Sequence, residues 1–86
     1  MALHSHRDMK LFAWIGEDEH GSGEVGIKQG LCSAGYIPLV AKDEHKVNDP
    51  RFISQLQDQA NKFGKTIRLC RYRFVEELVV ITPKDS

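Results

Sequence analysis

The chain lacks most of what would announce a chemistry. It has two cysteines in 86 residues and no Cys-x-x-Cys pair. Neither a disulfide framework nor a thiolate metal knuckle can be built from that. No apolar run is long enough to span a bilayer, and no secretory signal pattern opens the sequence. Twelve basic side chains balance twelve acidic ones, so the net charge is zero. A dedicated, strongly basic nucleic-acid binder is thereby disfavoured, and any such role is confined to a local patch. Structural repeats and low-complexity stretches are missing too. These absences suit a cytoplasmic protein in a reducing setting, with Cys32 and Cys70 as small core residues in strands rather than a disulfide.

What is present is an ordinary globular composition, 41% hydrophobic and 28% charged. It reads as one domain. So small a domain buries a modest share of its surface and gains from association. Residues 1–8 show no hydrophobic periodicity and read as a flexible leader placed before a natural start at Met9. They include His4 and His6, which are therefore set aside as site residues. Residues 9–83 form the domain, and 84–86 a tail.

One segment is punctuated as a helix, about 50–63. Asp49 or Asn48 offers an N-cap oxygen, Pro50 suits the first turn, and Gly64 suits the end. With Asn48 as the cap, Val47 and Phe52 would form a hydrophobic staple. Phe52, Ile53, Leu56, Ala60 and Phe63 recur at helical spacing and predict the buried face. Arg51, Gln55, Gln57, Asp58, Asn61 and Lys62 are left for solvent.

The rest reads as strand. Leu11–Ile15 is apolar on both sides, which predicts a central strand. Glu24–Gln29 alternates, with Val25 and Ile27 sharing a face. Gly30–Gly35 resembles a turn. Tyr36–Ala41 is a third strand, and Pro38 makes it an edge or a bulged one. Lys42–Val47 is a charged connection. From Thr66 onward β-branched and aromatic residues return. Ile67 and Leu69 point one way, while Arg68, Cys70, Tyr72 and Phe74 point the other. Residues 74–81 admit either a return strand turning near Val75–Glu77 or a helical turn, and Val79–Ile81 favours the strand. The fold class is therefore α+β: an antiparallel sheet of four or five strands with one helix on one face, in the order β-β-β-α-β(-β). The first three strands are expected to form a meander.

Candidate sites are few. Gly21–Gly26 matches G-x-G-x-x-G, but the residues after it alternate like a strand, so a glycine-rich hairpin is the better reading than a pyrophosphate loop. Asp-Glu-His occurs at 18–20 and again at 43–45. Two such loops could gather imidazoles and carboxylates around a divalent ion only if the strands before them ended side by side. The acidic run Glu17–Glu19 reads as a solvated turn. No metal, cofactor or catalytic residue is assigned.

A single helix can cover only one side of a sheet. Either Phe12 and Trp14 or their opposite neighbours Leu11, Ala13 and Ile15 must then lie on the uncovered side, and an exposed apolar patch usually marks an interface. Phe12, Trp14 and Tyr36 are the candidate interface residues. The leading expectation is a small non-catalytic interaction or regulatory module, acting as a homodimer or on another protein, without a membrane role. The alternative is a small nucleic-acid-binding protein. Lys65, Arg68, Arg71, Tyr72 and Arg73 would carry it, arginines pairing phosphates and an aromatic stacking bases.

Overall fold

The computed structural model describes residues 6–18 and 21–84. It is an α+β fold with an antiparallel sheet and one main helix. A 3-10 turn at His6–Asp8 leads into β1 (Lys10–Glu17). Then come β2 (Val25–Ile27), β3 (Gln29–Cys32), β4 (Gly35–Pro38) and β5 (Val40–Ala41). A one-turn helix α1 (Glu44–Val47) precedes the main helix α2 (Pro50–Phe63), and β6 (Ile67–Arg73) comes last.

The run Leu11–Ile15 is central, as its two-sided apolar pattern requires. β6 pairs along one side of β1, from Gly16↔Ile67 to Lys10↔Arg73. The other side is shared. β2 takes its far half at Ile15–Glu17, and β5 takes Phe12 and Ala13. The expected meander is thus replaced by a sheet that keeps β1 in the middle. Between β2 and β5 the chain leaves as a hairpin, β3–β4, which forms a second, two-stranded sheet. The junction is at Trp14, which donates to the Leu39 carbonyl and accepts from Lys28 N–H, while Leu39 N–H bonds the Lys28 carbonyl. The interruption at Leu39 comes directly after Pro38, the strand-breaking residue.

The sequence reading of Gly30–Gly35 as a turn is corrected. Gly30 lies within β3, and only Ser33 and Ala34 turn. A Cβ on Gly30 would come within 2.7 Å of the Phe52 ring and 2.9 Å of Leu39, so its missing side chain is what lets the hairpin close on α2. Gln55, expected in solvent, instead bonds the backbone of Leu31 in both directions. The charged connection 42–47 likewise contains the extra turn α1.

Helix α2 begins at Asp49, whose carboxylate accepts from Arg51 N–H at 2.9 Å. It ends at Gly64 in the left-handed region, φ 65°, with Gly64 N–H bonded to Ala60. Phe52 and Leu56 are buried with Leu39 and Val47, and Phe12, Trp14, Ile37, Ala41, Ile67 and Leu69 pack around them. The helix-facing apolar set is narrower than its spacing suggested, for Ile53 and Phe63 stay exposed. Trp14 ties sheet to helix corner by donating from Nε1 to the Val47 carbonyl at 2.8 Å. Full burial of a side chain such as Leu39 is worth roughly 2–3 kcal/mol, so these few residues carry much of the fold.

Residues 74–84 form no helix and no ladder. The turn, the helix and the return strand considered for 74–81 are all missing there. With this arm the radius of gyration is 16.3 Å, against about 12 Å for a compact chain of this length.

Candidate interaction surface

Cross-strand partners in a sheet point to the same side, so the register assigns both faces. Phe12, Trp14 and Gly16 face α2 together with Arg71, Leu69 and Ile67. The opposite side carries Leu11, Ala13 and Ile15 from β1, Cys70 and Tyr72 from β6, Ile27 and Val25 from β2, and Val40 from β5. Of the two rows weighed in the sequence, it is therefore the second that lies away from the helix. Phe12 and Trp14 pack against the core instead, because α1 and α2 close over that side.

The helix-free side is apolar and only partly shielded. Ala13, flanked by Val40 and Cys70, is buried. Around it Val25 is 66% exposed, Ile27 49% and Tyr72 47%. Both thiols are free and half-buried rather than core residues.

The arginine strand divides as its alternation requires. Arg68 and Tyr72 lie on the helix-free side, whereas Arg71 and Arg73 lie on the other. All three arginines are exposed and have no ion-pair partner among the described residues. Lys65 is bound to Glu17 at 3.3 Å. Among the described residues β6 pairs only with β1, which leaves its outer edge open.

The arm beyond β6 adds the largest exposed apolar set. Val75, Leu78, Val79, Val80 and Ile81 are between 67% and 90% exposed. Its first residues are held by the 3-10 turn. His6 Nε2 and Glu77 Oε1 are 2.5 Å apart, and Arg7 lies over the Phe74 ring at 5.7 Å. His6, set aside with the leader, thus has a structural partner, whereas His4 lies outside the described residues. Glu77 is engaged by the turn rather than by the arginines of β6, the pairing a hairpin would have given. The missed signal was the lack of any Gly, Asn, Asp or Pro between Arg73 and Thr82, which leaves a hairpin without turn residues.

Tyr36 sits on the hairpin, 70% exposed, at the rim of an open groove of about 640 Å³. Glu17, Lys28, Asp58 and Lys62 line the groove with both signs of charge. Gly21 and Gly23 take positive φ in the β1–β2 loop, and a strand comes next, so the glycine motif does not open a helix. Of the first Asp-Glu-His only Asp18 is described, and Glu19 and His20 lie outside the described residues. Asp43 and His45 come after β5, which is antiparallel to β1, so they leave the sheet at the end opposite Glu17 and Asp18. Among the described residues no cluster of three metal-ligating side chains occurs. No described helix is long and apolar enough to cross a membrane.

Comparison with protein-family models, with characterised proteins and with solved structures gives no match for this chain.

Proposed function

We propose that this chain is a non-catalytic interaction module of the cytoplasm, which binds another protein chain through its sheet and most simply binds a second copy of itself. The observation that supports this reading is the one-sided cover of the sheet. Helices close one side over Phe12 and Trp14, while Leu11, Val25, Ile27 and Tyr72 stay exposed on the other. An apolar sheet side in so small a domain gains from a second chain, and two-fold pairs are the commonest solution. The unpaired thiols agree with a reducing compartment.

Light scattering of the purified chain at two concentrations, with EDTA present, tests self-association. A dimer at both is expected. A monomer at both would sink the homodimer.

A second reading, nucleic-acid binding, draws on the unpaired Arg68, Arg71 and Arg73 beside Tyr72. Under it, binding of a single-stranded oligonucleotide weakens steeply with salt, and Arg71→Ala with Arg73→Ala weakens it further. Absence of binding even at low salt would dismiss that reading.

A further inference from the structure

The arm has the composition of a strand and, among the described residues, no strand beside it. Val75 and the run Leu78–Ile81 are β-branched or apolar, and none of them packs into the domain. A long apolar edge left this way invites pairing with another chain. The surroundings of the arm single out that chain.

The first arm residues set its direction. The His6 ring meets the Phe74 ring edge-on at 5.8 Å, and Arg7 reaches Glu77 at 3.6 Å. This turn lies just before β1, where Lys10 pairs with Arg73, so it occupies the β1 side of the arm. The other side of the arm continues the free outer edge of β6. Strand and arm together present an unpaired edge from Ile67 to Glu77, after which the chain bends at Leu78.

We infer that this edge pairs with the same edge of a second copy, antiparallel about a two-fold axis through Val75, so that each arm lies on the β6 of the other chain. The inference rests on the self-association reading above and names its contact. Symmetry restricts the register. An axis normal to the sheet lets a residue face its own copy, and facing residues must point to the same side. Centring on Val75 then sets Arg73 opposite Glu77, Tyr72 opposite Leu78, and Cys70 opposite Val80. Arg73, exposed and without a carboxylate partner among the described residues, gains one. Glu77 meets His6 and Arg7 at Oε1, and in this register its Oε2 accepts from Arg73 of the second copy. Pairing would straighten the bend at Leu78, and Leu78 and Val80 then extend the apolar row of the helix-free side. Main-chain pairing supplies affinity, and the alternate side chains supply register.

The test uses the full-length chain in light scattering, beside a Val79→Pro/Val80→Pro variant. Neighbouring residues turn their N–H groups to opposite edges, so one of the two prolines removes a donor from the new ladder. Neither residue pairs with another described residue of its own chain, so the melting temperature of the dissociated domain should not change. The expected result is a dimer whose dissociation constant rises by roughly 100-fold in the variant. In a Cys32→Ser/Cys70→Ala background, Val75→Cys closes a disulfide across the axis under oxidation, while Val79→Cys, which would face Arg71, does not. A dimer indifferent to the prolines overturns the arm pairing and leaves self-association to the helix-free side. A proline-sensitive dimer that Val75→Cys fails to cross-link overturns the register. A chain that is monomeric throughout overturns both the pairing and the self-association reading.

Discussion

The side-chain amide of Gln55 pairs with the backbone of Leu31 as a strand would, accepting from its N–H at 2.7 Å and donating to its carbonyl at 2.9 Å. One helix residue thereby satisfies the outer edge of β3 and pins the hairpin to α2.

Gln55→Ala should cost about 1 kcal/mol, the usual net worth of exchanged hydrogen bonds at a partly exposed site. Urea unfolding measures it, and the Leu31 amide should exchange faster with solvent. Gln55→Glu should not restore the loss at neutral pH, since it sets a carboxylate oxygen against the Leu31 carbonyl. An unchanged Leu31 exchange rate in Gln55→Ala would mean that the pair does not hold the hairpin.

Gly30→Ala is expected to destabilise by roughly 1–3 kcal/mol, the cost of overpacking a core. The added methyl would meet the Phe52 ring at 2.7 Å and Leu39 at 2.9 Å. Gly26→Ala, where nothing lies within 4 Å, serves as the control and should be neutral or slightly stabilising. Thermal melts of the two variants decide it. Equal melting temperatures would contradict the close approach of β3 to α2.

The Asp49 carboxyl is held below the usual value of 3.8, first by the Arg51 side chain and next by the Arg51 N–H at the helix start. A carboxyl depressed in the folded state stabilises fully above its unfolded value and loses that contribution as pH falls through the folded one. Asp49→Asn keeps a capping oxygen and loses the charge. The melting-temperature advantage of wild type over Asp49→Asn should therefore be steady near neutral pH and shrink as pH drops below 3.8. A gap that stays constant deep into the acid range would refute the charged cap.

How much of this was legible in the residues depends on how local the cause is. The α2 boundaries are written beside the helix, in Asp49, Pro50 and Gly64, and all three act there. The central place of β1 comes from the two-sided apolar run Leu11–Ile15. Gly30 misleads because a glycine in a turn and a glycine under an aromatic ring look alike until Phe52 is placed. Gln55 misleads for the same reason, since its partner lies on a hairpin that sequence alone does not bring near. Choosing between Phe12 and Leu11 as the exposed row needs the helix to be docked. Residues 74–81 read as strand because their composition is that of a strand. Composition records a preference for pairing and says nothing of where the neighbour comes from.

The position of β1 between β5 and β6 bears on how the molecule is made. During synthesis β1 leaves the ribosome before its partners, and its longest ladder waits for β6. At about 5–20 residues per second that delay lasts a few seconds. β2, β5 and α2 arrive sooner and can cover one side of β1 and part of one edge. Joining β6 then closes the longest loop in the domain, the slow kind of step in a fold built on distant contacts. Until it closes, Leu11–Ile15 stands with a bare edge, a target for chaperones and for neighbouring nascent chains alike.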